Sequence, residues 1–150
     1  MPWQWLQGHG LHQGRLLGGC LEVVDWLRGT PVWPSGQAMR GSILVLETSE
    51  EQPTPLAVTR NLRALAASGF FTECAGLLMG RPCTEDLPSM DSQDAAVLAF
   101  ARDELRRPDM PVITRVDFGH TSPVFTIPLG VMASIDCDQQ VFSIDEAATI

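Results

Sequence analysis

Two short runs of aliphatic residues constrain the fold of this sequence more than any other feature. They occupy residues 42–46 (SILVL) and 75–79 (AGLLM), and each is the length of a buried strand rather than of a helix. Between them, Thr54 and Pro55 have the residue types of a helix N-cap and first turn, and apolar residues then recur at helical spacing up to Gly69. Buried strands that alternate with amphipathic helices predict a sheet covered by helices.

The remaining elements follow from similar patterns. One helix is predicted over 20–28 and another from Asp91 or Ser92 to Arg107. Further strands are predicted at 14–19, 112–115, 124–127, 131–135 and 140–144, whereas 1–13 is an entry segment and 30–41 and 81–90 are loops. The order predicts a single α/β or α+β domain over residues 1–150, with a mixed sheet, about three helices and hairpins among the last strands.

The charge balance of the chain excludes one large class of partner. Eighteen Asp and Glu residues against ten basic residues give a net charge of −8, which repels phosphate backbones. No apolar run approaches the roughly 20 residues of a membrane span, and no basic-then-apolar leader follows Met1. We therefore expect a cytoplasmic protein without nucleic-acid or membrane partners.

The cysteines give no sign of a metal site or a redox pair. Cys20, Cys74, Cys83 and Cys137 lack the Cys-x-x-Cys spacing typical of zinc sites and of redox motifs. Each lies among small or apolar residues. We expect four reduced, inert thiols.

Two polar side chains follow predicted strands at positions where α/β domains place working groups. Glu47 ends the strand 42–46 and opens a polar loop. His120 follows the strand 112–115, and Gly119 before it permits a close turn that would present the imidazole at the strand end. A histidine oriented by a carboxylate is the base half of a hydrolytic triad. The alternative is that both residues are ordinary surface groups.

A nucleophile for such a triad is not evident. The sequence has no Gly-x-Ser-x-Gly elbow. Ser42 opens a strand, while Ser49 and Ser122 lie very close in sequence to Glu47 and His120 respectively. Residues that near cannot easily fold back into nucleophile–base geometry, so none of the three serines is a strong candidate.

Metal chemistry has equally little support. His9 and His12 have a loose ligand spacing, but they lie in a glycine-flanked entry segment. Asp117 and His120 could form a ligand pair, yet no third and fourth ligands follow at typical spacing. We therefore expect neither a metal nor a cofactor.

Five segments, taken in order, resemble the C-terminal half of the LD-carboxypeptidase family. They are 14–22 (GRLLGGCLE), 27–31 (LRGTP), 43–51 (ILVLETSEE), 116–120 (VDFGH) and 127–130 (IPLG). The family consists of serine peptidases that include muramoyl-tetrapeptide carboxypeptidases and microcin C self-immunity proteins. The resemblance extends over residues 3–144, and the ordered set is more specific than any single motif.

The resemblance implies a swivelling β/β/α-type domain, homodimers and a Ser-Glu-His triad. By motif, Glu47 matches the triad glutamate and His120 the triad histidine, whereas the family's serine lies in an N-terminal domain that is absent from this sequence. His120 would carry the proton from the serine to the leaving amine, and Glu47 would orient the imidazole. Cys20 and Glu22 lie in a segment that resembles the microcin-immunity branch of the family. The resemblance to that branch implies peptidyl or aminoacyl nucleotides as substrates.

The resemblance therefore predicts the C-terminal domain of a serine carboxypeptidase-type hydrolase, inactive without its nucleophile domain. Its substrate would be a peptidoglycan tetrapeptide or a microcin-type aminoacyl nucleotide. Two other functions stay open. One is a stand-alone interaction or dimerisation module without catalysis, and the other is a phosphohistidine carrier with His120 as the acceptor.

Overall fold

Seven strands form one mixed sheet in the computed structural model, which describes residues 2–149. The strands are β1 Gln4–Gln7, β2 Leu11–Cys20, β3 Ile43–Glu47, β4 Gly76–Gly80, β5 Val112–Val116, β6 Met132–Asp136 and β7 Val141–Ile144. They lie in the order β1-β5-β4-β3-β2-β6-β7. Strands β2 to β5 are parallel, whereas β1 at one edge and the β6–β7 hairpin at the other are antiparallel. The predicted mixed α/β fold is confirmed.

The helices connect the parallel strands. They are α1 Leu21–Trp26, α2 Gly36–Met39, α3 Pro55–Ala67 and α4 Leu87–Ala99, and a π-helical turn, Phe100–Glu104, extends α4. As predicted, Thr54 caps α3, because its hydroxyl accepts a hydrogen bond from the Ala57 N–H at 3.3 Å. The short helix α2 interrupts the segment 30–41, which was predicted to be a loop. Within residues 2–149, no helix combines the length and apolar character needed to cross a membrane.

Helix α4 begins earlier than the sequence predicts. Asp86 caps it, rather than Asp91 or Ser92, and the Asp86 carboxylate accepts a hydrogen bond from the Ser89 N–H at 3.1 Å. Pro88 fits the first turn of a helix, where its missing N–H has no intrahelical partner to lose. The loop before α4 is correspondingly shorter.

Two predictions about strands are wrong. Residues 124–127 form no strand, because the Phe125 N–H donates to the Asp117 carbonyl at 2.8 Å and closes a loop instead of entering a ladder. The entry segment contains strand β1, whose residues Gln4 and Trp5 pair with β5.

Alternate residues of the central strand pack on opposite faces of the sheet. Leu44 and Leu46 lie in the cluster that the helices cover. Ile43 and Val45 lie in a second cluster, beneath the β6–β7 hairpin and the segment 118–131. Because β2 to β5 are neighbours in chain order, successive right-handed crossovers place α1, α3 and α4 on one face and leave the other face to the hairpin.

The parallel strands bring four chain positions to one edge of the sheet. Strands β2, β3, β4 and β5 end there at Cys20, Glu47, Gly80 and Val116. Ligand sites of open α/β sheets lie beyond the carboxyl ends of their strands. This edge is therefore where a functional site is expected.

Candidate active site

Glu47 and His120, the two residues predicted for a triad, are in contact at the carboxyl edge of the sheet. Oε2 of Glu47 lies 2.8 Å from Nδ1 of His120 and also accepts a 3.3 Å hydrogen bond from the His120 backbone N–H. The Glu47 side chain is 10% exposed and the His120 side chain 43% exposed. A nearly buried carboxylate thus holds an imidazole that solvent can reach. With Nδ1–H donated to Glu47, the neutral ring has its lone pair on Nε2.

Two glycines make room for this contact. Gly119 has a φ of +88°, and a Cβ built there would lie 2.6 Å from three atoms of the Glu47 side chain. Gly80 ends β4, and a Cβ built there would lie 2.7 Å from the Cβ of Glu47. A side chain at either position would push the carboxylate away from His120.

Three carboxylates favour the charged form of His120. The hydrogen bond and the charge of Glu47 raise the pKa of His120 above its ordinary value, and Glu50 and Glu22 act in the same direction. Oε2 of Glu50 lies 3.1 Å from Nε2 of His120, on a side chain that is 70% exposed. The ring is therefore bracketed by a buried carboxylate at Nδ1 and an exposed one at Nε2.

Glu22, which the sequence offers only as a marker of the family branch, holds the loop that follows β3. Its Oε1 accepts hydrogen bonds from the Ser49 hydroxyl at 2.8 Å and from the Ser49 N–H at 3.3 Å. The Cys20 thiol donates to Oε2 of Glu22 at 3.4 Å. Burial, together with the charges of Glu22 and Glu47, raises the pKa of the Cys20 thiol to about 11. Cys20 therefore stays protonated near neutral pH and is a poor nucleophile.

A groove of about 850 Å³ opens beside His120. One wall consists of residues 81–85, which follow β4, and Met90 of α4 forms part of another. Thr121 and Ser122 line it beyond the imidazole. Its volume lies in the range of small-molecule sites.

The candidate metal ligands have other partners. Oδ1 of Asp117 accepts a hydrogen bond from Nη2 of Arg81 at 2.6 Å, and Oδ2 accepts one from Nε1 of Trp3 at 3.0 Å. Nε2 of His12 lies 2.9 Å from the carbonyl oxygen of His9. Within residues 2–149, no group of three or more His, Cys, Asp or Glu side chains is arranged to hold a metal ion.

The serines discussed as nucleophiles are not paired with the imidazole. The Ser42 hydroxyl donates to the Met39 carbonyl at 2.8 Å, in the buried segment before β3. The Ser49 hydroxyl donates to Glu22. Ser122 lines the groove, but in the described part of the chain Nε2 of His120 faces Glu50 and no serine hydroxyl.

The fold and the site together define a class of protein. The chain is an α/β domain that presents a carboxylate-held histidine at the carboxyl edge of a parallel sheet, where the histidine lines a groove and its outer ring nitrogen pairs with the exposed Glu50. The particular family follows from comparison with known proteins. The chain belongs to the family of LD-carboxypeptidase C-terminal domains, whose model matches residues 13–135.

Its relatives and structural neighbours support the same assignment. The microcin C7 self-immunity protein MccF of Escherichia coli is 28% identical over 139 residues, which are 93% of this chain and 38% of MccF. An MccF-like protein from Streptococcus pneumoniae, solved in complex with AMP, superposes with a TM-score of 0.76 at 30% identity, over 95% of this chain and 43% of that one. MccF in complex with glutamyl sulfamoyl guanosine gives a TM-score of 0.77 at 25% identity, over 99% and 42%.

These comparisons confirm the resemblance that the five sequence segments indicate. The chain spans about two fifths of the length of the curated relatives it matches.

Proposed function

We propose that this chain supplies the glutamate and the histidine of a Ser-Glu-His triad in an LD-carboxypeptidase-type hydrolase. The observation that carries the proposal is the 2.8 Å contact between Oε2 of Glu47 and Nδ1 of His120 at the carboxyl edge of the sheet. Membership of the family supports it. The serine would come from an N-terminal nucleophile domain, since the matched relatives extend well beyond the region that they share with this chain.

In this proposal the reaction is amide hydrolysis through an acyl-enzyme. Nε2 of His120 accepts the hydroxyl proton as the serine oxygen attacks the carbonyl carbon, and the imidazolium then donates that proton to the leaving amine. Glu47 keeps Nδ1 protonated and stabilises the imidazolium. Water then attacks the acyl-enzyme, giving its proton to Nε2, and release of the acid returns that proton to the serine oxygen.

Glu50 has to leave Nε2 before a serine can reach it. The 3.1 Å ion pair between Glu50 and Nε2 occupies the side of the ring that the serine hydroxyl would approach. Because the Glu50 side chain is 70% exposed, this pair contributes only about 0–1 kcal/mol. Docking of the nucleophile domain would displace it at little cost.

The substrate class follows from the family branch. The solved MccF complexes contain glutamyl sulfamoyl guanosine and aspartyl sulfamoyl adenosine, in which an acidic aminoacyl group is joined to a nucleoside. The segments GGCLE and LETSEE favour that branch, so we place an aminoacyl nucleotide ahead of a peptidoglycan tetrapeptide as the substrate. The groove beside His120 would receive part of it.

The first test concerns the polypeptide that the source cell makes. An antibody against this chain would detect, under denaturing conditions, a band well above 16.4 kDa if the nucleophile domain is part of the same polypeptide. Native mass and cell fractionation would test the homodimer and the cytoplasmic location that we propose with it. A band at 16.4 kDa would require the serine to come from a separate chain.

The second test is mutational and uses that polypeptide. We expect release of the amino acid from an aminoacyl sulfamoyl nucleoside to fall about 10⁴-fold in E47Q and at least as far in H120A. The matched controls E51Q and H9A change an exposed carboxylate and an exposed imidazole outside the site, and they should keep the wild-type rate. Unchanged hydrolysis in H120A would refute the proposed triad.

A further inference from the structure

The segment 117–123, here named the histidine loop, is tied at both ends to one guanidinium group. At its start, Nη2 of Arg81 donates to Oδ1 of Asp117 at 2.6 Å. At its end, the same nitrogen lies 3.3 Å from the carbonyl oxygens of Ser122 and of Pro123. A single donor group therefore closes the loop whose apex carries the imidazole.

Arg81 is itself held firmly. It is the first residue after β4, and its backbone N–H donates to the Val116 carbonyl at the end of β5, at 2.8 Å. Its side chain is only 12% exposed. The guanidinium therefore projects from the edge of the sheet, and the planar fork of N–H donors has little freedom to move.

A second brace acts on the same aspartate. Nε1 of Trp3 donates to Oδ2 of Asp117 at 3.0 Å. The Trp3 ring stacks on Phe125, with ring centroids 6.0 Å apart, and the Phe125 N–H donates to the Asp117 carbonyl at 2.8 Å. Arg81 and Trp3 thus use both carboxylate oxygens and fix the start of the histidine loop in position and rotation.

We infer that Arg81 is a positioning residue, which keeps the histidine loop closed so that His120 stays on Glu47 and presents Nε2 to the groove. This inference rests on the proposed function, because it gives Arg81 a role in that reaction. Arg81 acts through Asp117 and the loop carbonyls, without touching the imidazole. A displacement of a reacting group by about 1 Å costs roughly 10²-fold in rate, so a loosened loop matters.

The first experiment measures the titration of His120 by NMR in the 150-residue chain. The groups that face His120 are Glu47, Glu50 and Glu22. In R81Q we expect the pKa of His120 to move toward its value in E47Q, because the loop drifts from the carboxylate. R81K should restore part of the shift. The control R63Q changes an exposed arginine that pairs with Glu104 and should leave the titration unchanged.

The second experiment measures hydrolysis by the complete polypeptide. We expect R81Q to lower kcat by about 10- to 100-fold, because the loop positions a reacting group. Any change in KM would instead report the place of Arg81 in the groove wall. W3F should shift the pKa of His120 and lower kcat in the same directions as R81Q, but by smaller amounts. R63Q again serves as the control.

Two results would overturn the inference. One is a folded R81Q chain whose His120 titration and loop amide resonances match those of wild type. The other is unfolding of both R81Q and R81K, which would show that Arg81 holds the fold rather than the loop. Absence of hydrolysis in the wild-type polypeptide would refute the proposed function instead, while the NMR titration would still decide whether Arg81 holds the loop.

Discussion

Oε2 of Glu47 accepts two hydrogen bonds from His120, one from Nδ1 at 2.8 Å and one from the backbone N–H at 3.3 Å, across 73 residues of sequence. The bond to Nδ1 sets the rotation of the ring. The bond to the backbone N–H fixes the chain on which the ring is mounted. One carboxylate oxygen thus orients the imidazole and anchors its loop.

The first prediction is that E47Q lowers the pKa of His120. The hydrogen bond and charge of Glu47 are the largest causes that raise this pKa, and a neutral amide removes the charge. An NMR titration of the imidazole checks it. E51Q neutralises an exposed carboxylate four residues after Glu47 and should leave the pKa of His120 unchanged. An equal pKa in wild type and E47Q would contradict the contact itself.

The second prediction concerns stability and pH. Because folding raises the pKa of His120, its stabilisation is complete below the unfolded value near 6.5 and disappears as the pH rises through the folded value. The advantage of wild type over H120Q in unfolding free energy should therefore be larger at about pH 5.5 than at about pH 8.5. Solvent exposure of the ring keeps this difference in unfolding free energy below about 1 kcal/mol. H9Q is the control, and a larger advantage at alkaline pH would reverse the predicted sign.

The third prediction separates steric contact from backbone strain at Gly119. G119A should destabilise the fold by about 1–3 kcal/mol and displace Glu47, since its φ is +88° and its Cβ would overlap the glutamate. G29A is the matched control, because Gly29 has a φ of +74° with open space around its Cβ position. Urea unfolding and the His120 titration measure both effects. If the two variants behaved alike, the overlap with Glu47 would not be the cause.

The fourth prediction is that Cys20 resists alkylation. Burial raises its thiol pKa to about 11, so the reactive thiolate is scarce near neutral pH. Iodoacetamide at about pH 8 should modify Cys20 slowly in the folded chain and readily in urea, as peptide mass spectrometry would show. E22Q should raise the rate only modestly, because burial is the larger cause. Rapid modification of Cys20 in the folded protein would contradict this.

The fifth prediction concerns the ion pair between Arg115 and Asp94, whose side chains are only 7% and 10% exposed. D94N should lower the unfolding free energy by about 1–3 kcal/mol, because it neutralises one of the two carboxylates, Asp94 and Asp91, that pair with the buried guanidinium. E104Q, which breaks the exposed pair between Arg63 and Glu104, should cost much less. Denaturant unfolding of the two variants measures the difference. Equal losses of unfolding free energy in D94N and E104Q would show that burial does not determine how much the Asp94 pair stabilises the fold.

The central part of the fold is predictable because its strands are buried on both faces. All five residues of β3 and of β4 are buried, and short aliphatic runs are the pattern that such strands require. Residues 124–127 also look like a short apolar strand, but only Phe125 and Ile127 pack beneath the sheet, Val124 is exposed, and the segment has no partner strand. Pro88 is compatible with a loop and with a first helical turn, so the start of α4 needed three-dimensional context.

The site is predictable only where position along a strand identifies the residue. Glu47 and His120 follow buried strands, and the sequence alone singles them out. The role of Arg81 depends on contacts with Asp117 across 36 residues, and that of Trp3 on a contact across 114. Such pairings follow from the order of strands in the sheet, which a single sequence does not specify. The position of Arg81 directly after a buried strand was the one local feature of the sequence that could have indicated its role.

The indole of Trp3 has a consequence for where this domain can be cut. The region of this chain that matches the family begins at residue 13. A truncation there would keep all five motifs and the Glu47–His120 pair. It would nevertheless remove β1, which covers the edge of β5, and the donor that holds Oδ2 of Asp117. A domain cut at the limits of its recognisable motifs would therefore lose contacts at the edge of the sheet and at the start of the histidine loop.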